Sequence, residues 1–349
     1  MRTVVGTMTG TSMDGVDAVA IEIDGFGLDM QVRYIALTST DLGDARDLLR
    51  QLAKNGGTDE QMRSGAIAVG ELTLTSINAL ALPKIDAIAL HGQTVFHAPP
   101  TSVQLIDASI IATSFDCAVL TDPRQQDLAL GGQGAPITPL ADWVLFRDSE
   151  LSTAVVNLGG FCNITCIPAH ANPCDVTGFD LCSCNLLLNT VSQQLLGMEY
   201  DEDGKVARTG TPCDAVVEEI KMQLQLQHSE HRSLGTNDDL RDFILTKTEI
   251  APKDLLASIH VAIGACVNDA TQEYGRVLLA GGGVFNKVLV SNIAHTGTTE
   301  TLGVPIQARE GMAMAILGAL ALDGISITLP QVTGRQETTD VVGWTYAKP

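Results

Sequence analysis

Apolar and polar positions along this chain switch between a period of two and a period near 3.6, and the switches outline its elements. Thr3-Val4-Val5 opens an apolar strand, residues 6–15 interrupt it with glycines and hydroxyls, and a second apolar run covers 16–23. A strand is predicted over 31–37 and helices over 44–54 and 60–82, the latter carrying Ile67, Ala68, Glu71, Leu72, Leu74 and Ile77 as a mostly apolar stripe. A buried strand at 85–90 runs into His91-Gly92-Gln93, and short strands follow at 102–105 and 117–121. The stretch LGGQGAPITP at 130–139 reads as a loop and possible junction. Residues 153–167, TAVVNLGGFCNITCI, repeat the opening pattern of strand, glycine tip and strand. Helices are predicted over 185–196, 214–226, 255–274, 286–293 and 310–322, with a strand at 276–280 ending in Gly281-Gly282-Gly283. This alternation predicts an α/β fold, and the repeated hairpin predicts a second, related domain. The boundaries that follow place 1–128 with 325–349 in one domain and 129–324 in the other.

Composition narrows the function. The 349 residues suffice for two ordinary domains, and the 45% hydrophobic content fills a globular core. A net charge of −20 argues against nucleic acid or an anionic membrane as partner. An acidic protein that handles a polyphosphate must offset repulsion locally, with backbone donors, helix N-termini and Mg²⁺. No charged n-region with an apolar h-region opens the chain, and no apolar run of about 18 residues occurs, so a cytoplasmic location is expected. The eight cysteines are then expected as reduced thiols.

The hairpin tip Gly10-Thr11-Ser12-Met13-Asp14-Gly15, continuing into Val16 and Asp17, offers backbone N–H groups and hydroxyls that can wrap an anion. Asp14 and Asp17 are placed to hold a metal or water beside it, which suits a Mg-nucleotide; an ordinary glycine-rich hairpin is the alternative. Gly281–Gly283 before a helix allows close ligand approach or simply a tight strand-to-helix turn. Neither a Rossmann fingerprint nor a Walker loop is present. Asp180 ends a predicted strand, as a general base towards a hydroxyl or water or as a helix N-cap. Asp122 and Arg124 follow another strand, as a substrate contact or as a surface turn. Cys162, Cys166, Cys174, Cys182 and Cys184 lack C-x-x-C or flanking histidine spacing, so no metal site is predicted. Without G-x-S-x-G, serine hydrolase chemistry has no support.

Six stretches together carry a specific resemblance: GTMTGTSMDGVDAV at 6–19, HGQTVFH at 91–97, DPRQQDLALGGQGAPITP at 122–139, VVNLGGFCNIT at 155–165, LLAGGGVFN at 278–286 and REGMAMAILGALALDG at 309–324. The chain resembles, almost end to end, the anhydro-N-acetylmuramic acid kinases of the sugar kinase/actin-like ATPase superfamily. The resemblance implies a two-domain, ribonuclease H-like α/β fold with an interdomain cleft, a homodimer, and ATP with Mg²⁺ as cofactors. It implies conversion of 1,6-anhydro-N-acetylmuramic acid to N-acetylmuramic acid 6-phosphate in recycling of the bacterial cell wall. Carried over by position, Gly10–Asp17 is the phosphate-binding hairpin and Asp180 the general base that activates water. Glu310 is a carboxylate facing the sugar, and Gly281, Gly282, Gly283 and Asn286 lie at the adenosine side. His91, Gln93, Asp122, Arg124 and Asn185 lie on the sugar and phosphate side.

Departures from the family pattern cluster after the base. The usual Asp-Thr-Gly-Pro-Gly-Asn is Asp180-Leu181-Cys182-Ser183-Cys184-Asn185 here, so two glycines are cysteines. If either position needs φ > 0 the change costs about 1–2 kcal/mol, and sulfur is expected near the phosphates. Pro123 stands for a Phe, Ile106 for a Gly, and the usual Lys-Ser-Thr-Gly-Arg-Glu is degraded at 232–237. An active anhydro-sugar kinase is the leading expectation. The alternative is a non-catalytic nucleotide- or sugar-binding relative acting as a sensor.

Overall fold

The computed structural model describes residues 1–10, 13–229, 234–235, 238, 240–336 and 343–347. It divides into two compact units, Met1–Phe146 with Ala308–Pro349, and Arg147–Gln307. In chain order the first unit begins β1 (Arg2–Met8), β2 (Gly15–Asp24), β3 (Gln31–Asp41), α1 (Ala45–Asn55), α2 (Asp59–Ala79) and β4 (Ala87–Leu90). It continues β5 (Gln93–Ala98), β6 (Thr101–Leu105), α3 (Ala108–Ser114), β7 (Ala118–Thr121), α4 (Gln125–Ala129) and α5 (Pro139–Phe146). The second unit holds β8 (Thr153–Leu158), β9 (Phe161–Ile167), β10 (Thr177–Ser183), α6 (Asn185–Leu195), α7 (Asp214–Ser229) and α8 (Arg241–Leu245). It ends with α9 (Pro252–Thr271), β11 (Arg276–Ala280), α10 (Lys287–Ser291) and β12 (Gly297–Thr298). The chain then returns to the first unit as α11 (Arg309–Leu322), α12 (Pro330–Thr333) and β13 (Thr345–Tyr346).

The two large sheets repeat one plan, and β5 pairs with β6 apart from them. The first runs β3-β2-β1-β4-β7 with β13 added at its edge, and the second runs β10-β9-β8-β11-β12. In each, three strands form an antiparallel meander and two more extend the sheet in parallel from the first strand. The same order and polarity twice is the duplication that the repeated hairpin predicted, and the fold is the expected two-unit, mixed α/β, ribonuclease H-like architecture. Both glycine tips, 9–14 and 159–160, connect the first and second strands of their own sheet.

The boundaries differ from the predicted 128/129 and 324/325. The glycine-rich stretch after α4 is tied into the first unit: Asp127 Oδ2 accepts from Gly134 N–H and its Oδ1 from Thr333 Oγ1, while Gln133 N–H donates to the Thr333 carbonyl. The Ala- and Met-rich α11 also belongs there, because glycines let it press onto the sheet. A Cβ on Gly6 would lie 2.1 Å from the Gly311 carbonyl oxygen, and one on Gly311 would lie 2.4 Å from Val19 Cγ2. A helix lined by Gly and Ala approaches a sheet more closely than one bearing branched side chains.

Eight elements lack sequence expectations: β5, α3, α4, α5, α8, β12, α12 and β13. Each is short, and tertiary packing rather than local pattern sets it. The strand expected to end at Asp180 runs on to Ser183, because a bulge at Leu181 shifts the register from Asp180–Asn163 to Cys182–Cys162.

Candidate functional site

In the first unit the phosphate-binding candidate is the turn between β1 and β2. Met13 N–H donates to the Gly10 carbonyl, and Met13 takes φ 55° with its side chain buried. Its side chain is packed with Val16, Leu42, Leu49 and Val69 in a buried cluster of the first unit. Thr11 and Ser12 lie outside the described residues. Asp14 is exposed, and its carbonyl accepts from Leu42 N–H and from Arg46 Nη2, which also pairs with Asp41. Arg46 is thus a cation beside the turn that no motif revealed. Asp17, within β2, accepts from the hydroxyl of its cross-strand partner Ser39. Burial pushes the Asp17 carboxyl up and nearby Asp14 adds to the rise, against the Ser39 hydrogen bond. A carboxylate whose ionisation is made costlier by burial and by a neighbouring carboxylate fits a cation.

A second cluster forms around His91. Arg124 Nη2 lies 2.9 Å from His91 Nε2, and Arg124 Nη1 donates to the Gly134 carbonyl. A guanidinium only donates, so Nε2 accepts and the ring proton sits on Nδ1, which donates to the Gly92 carbonyl at 2.9 Å. Burial, then Arg124, pushes the imidazole down to about 3, so it is neutral. Thr9 Oγ1 donates to the same Gly92 carbonyl, joining this turn to the entrance of the phosphate turn. Gln93 donates to the Thr94 carbonyl, whereas its buried Oε1 has no partner. Asp122 takes φ 55° two residues before Arg124, with its carboxyl pushed up by burial. A non-glycine residue held in that conformation marks a place that the surrounding structure over-determines. Glu310 is half-buried in the first turn of α11, beside Arg309.

The second unit assembles its own cluster around the 159–160 tip. The N–H groups of Cys184 and Leu186 donate to the Gly160 carbonyl and that of Asn185 to the Gly159 carbonyl. Asn185 Nδ2 donates to the Leu158 carbonyl. Gly281, at φ +82°, and Gly283 pack against Leu158; a Cβ on either would come within 2.9 Å of the Leu158 carbonyl oxygen. Tip, α6 start and Gly281–Gly283 loop therefore meet at one place. Asn286 is otherwise engaged: its Oδ1 caps α10 through Leu289 N–H and its Nδ2 donates to His260. Beside it, a pocket of about 420 Å³ is lined by Arg208, Pro212, Ala257, Val261, Lys287 and Val288 among others.

Asp180 sits within β10, just before the bulge, and its Oδ2 accepts from Leu234 N–H at 2.7 Å. The helix N-cap position belongs to Cys184, which makes no side-chain cap, so the N-cap alternative for Asp180 fails. The cysteine expectation is corrected as well. Cys184 has φ −129°, and neither it nor Cys182 is among the residues with positive φ. Both thiols are wholly buried in the core of the second unit with Cys162 and Cys266, so they fill packing space rather than the phosphate side. A hydrogen bond with Cys162, then burial, raises the Cys182 thiol well above its ordinary range.

A family model for anhydro-N-acetylmuramic acid kinase matches residues 2–348. The protein of that name from Salinibacter ruber is 31% identical, covering 97% of this chain and 94% of its own. Its counterpart from Francisella tularensis subsp. novicida is 30% identical, covering 95% of each. Among solved structures, the activator of 2-hydroxyisocaproyl-CoA dehydratase from Clostridium difficile overlays with a TM-score of 0.48 at 10% identity, covering 92% of this chain and 96% of that one. A ROK family glucokinase from Streptomyces griseus overlays at 0.39 and 11%, covering 90% and 98%. At those scores the fold rests on the strand order, while the sequence matches decide the family: the chain belongs to the anhydro-N-acetylmuramic acid kinases.

Proposed function

We propose that the protein is an ATP-dependent kinase that hydrolytically opens 1,6-anhydro-N-acetylmuramic acid and phosphorylates it to N-acetylmuramic acid 6-phosphate, in peptidoglycan recycling. The observation that carries this reading is Asp180, a carboxylate fixed by a backbone N–H at a strand bulge. As general base it takes a proton from water; the water oxygen bonds to C1, the C1–O6 bond breaks, and O6 attacks the γ-phosphorus as ADP leaves. An acetal carbon attacked by water calls for a carboxylate in this role, as in glycoside hydrolysis.

Gly10–Asp17 holds the phosphates, and Gly281–Gly283 takes the adenosine. Asn286 contributes there by capping α10. Asp14 and Asp17 fit Mg²⁺, which when bound offsets the charge of the polyphosphate. His91, Arg124, Asp122, Gln93 and Asn185 serve the sugar and phosphates; the unpartnered Gln93 Oε1 is an acceptor that a sugar hydroxyl or amide would satisfy. Glu310 is the second carboxylate towards the sugar. A homodimer is proposed on the resemblance alone, and a cytoplasmic location suits eight free cysteines. The sensor alternative rested on the altered Leu181–Cys184 loop; neither cysteine there has a positive φ and both thiols pack in the core, which speaks against it. The test is ADP release with 1,6-anhydro-N-acetylmuramic acid against no-sugar and levoglucosan controls. Release that requires the muramic sugar supports the reading; equal release in all three overturns it.

A further inference from the structure

Beyond the groups that would touch substrate, a buried amide links Asp180 to α7. Gln227 is 7% exposed and uses both ends of its side chain. Its Oε1 accepts from Ser183 N–H at 2.9 Å, and its Nε2 donates to the Asp238 carbonyl at 2.6 Å and reaches Ser183 Oγ at 3.3 Å. Ser183 Oγ donates to the same Asp238 carbonyl at 2.6 Å. The amide orientation is fixed, because the flipped form would set N–H against N–H and oxygen against oxygen. Asp238 is in turn joined to Gly235 by two hydrogen bonds: its Oδ2 accepts from Gly235 N–H and its own N–H donates to the Gly235 carbonyl. The residue before Gly235 is Leu234, whose N–H holds Asp180. Asp180 and Ser183 lie on one strand, either side of the bulge at Leu181. Leu234 and Asp238 are therefore both bound to β10: Leu234 directly at Asp180, and Asp238 at Ser183 both directly and through Gln227.

We infer that Gln227 is a positioning residue for the reaction: it clasps Ser183 to Asp238 and so fixes the Leu234 N–H that orients the Asp180 carboxylate. This rests on the reading of Asp180 as the base. A buried polar group engaged at both ends holds its partners in one arrangement, and small displacement of a reacting group is costly because geometry supplies much of the barrier reduction. Gln227→Glu separates this role from simple packing. It keeps size and the acceptor for Ser183 N–H, but sets an oxygen against the Asp238 carbonyl.

The test compares the full-length parent with Gln227→Glu, Ser183→Ala, Asp180→Asn and the Gln227→Glu/Asp180→Asn pair. The expected result for Gln227→Glu is kcat lower by about 10- to 100-fold with KM for ATP within about twofold, and faster amide hydrogen exchange at Leu234. The pair is expected to be no slower than Asp180→Asn alone, because Gln227 acts only through Asp180. Unchanged kcat in Gln227→Glu, or additive losses in the pair, overturns the inference. If Gln227→Glu does not fold, Ser183→Ala replaces it, with the same direction expected in kcat and Leu234 exchange. Should the parent release no sugar-dependent ADP, the functional reading fails first, and Leu234 exchange decides the clasp: faster in the variant upholds it, unchanged refutes it.

Discussion

Arg309 and Asp142 form a bidentate ion pair with both side chains almost wholly buried, joining the first residue of α11 to α5. Two charges taken out of water attract strongly, but removing one partner leaves the other uncompensated. Asp142→Asn is therefore expected to lower unfolding free energy by about 3–5 kcal/mol, read by urea denaturation. Replacing both residues by Met and Leu costs much less. A loss below about 1 kcal/mol in Asp142→Asn, the range of an exposed pair, contradicts this account.

The contact of Gly6 with α11 gives a second test. A Cβ at Gly6 would lie 2.1 Å from the Gly311 carbonyl oxygen and 2.4 Å from Ala315 N, both backbone atoms that yield only if the helix moves. Gly6→Ala should cost at least about 1–3 kcal/mol, as overpacking does. A melting temperature equal to the parent's would mean that α11 does not sit this close to β1.

At the cysteines the condition for strain is not met: neither Cys182 nor Cys184 has a positive φ. Cys182 and Cys184 are fully buried among apolar side chains. Cys182→Gly with Cys184→Gly should lower stability by about 1–3 kcal/mol per site, through lost packing and added chain entropy, with no gain in turnover. Faster turnover together with unchanged melting would restore the strained-loop view.

Acid sensitivity should report on His91. Its folded pKa of about 3 lies well below the ordinary 6.5, so between those values the unfolded state binds the extra proton and stability falls as pH falls. Above pH 6.5 the imidazole is neutral in both states and contributes no slope. His91→Gln should remove up to about 1.4 kcal/mol per pH unit from the slope of unfolding free energy between pH 6 and 4. His97, also pushed down, to about 4, leaves part of the slope in place. An identical slope in parent and variant would show that His91 titrates as freely as in an unfolded chain.

How far the sequence reaches depends on the range of each interaction. The tip at 9–14 and its echo at 159–160 were legible because a hairpin is local, and the repeated sheet order followed from them. Gly281–Gly283 and the α6 start were legible as separate motifs, but not their meeting on Leu158, which depends on sheet register. The Leu181 bulge erased the predicted strand end, since one extra residue leaves no pattern of period two. Gln227, Asp142 and Arg46 gave no signal: each acts through a tertiary hydrogen bond to a residue chosen by the fold. The buried thiols misled for the opposite reason, as a family comparison marks a substitution without telling which way the side chain packs.

The central claim is that Asp180 is the base of a sugar-dependent kinase. Steady-state ADP release with saturating ATP and 1,6-anhydro-N-acetylmuramic acid, measured for the parent and Asp180→Asn, tests it most directly. The account predicts sugar-dependent turnover in the parent and a loss of about 10²–10⁴-fold in the variant, with nucleotide affinity little changed. A variant that keeps most of the parent's sugar-dependent rate, or a parent without one, contradicts it.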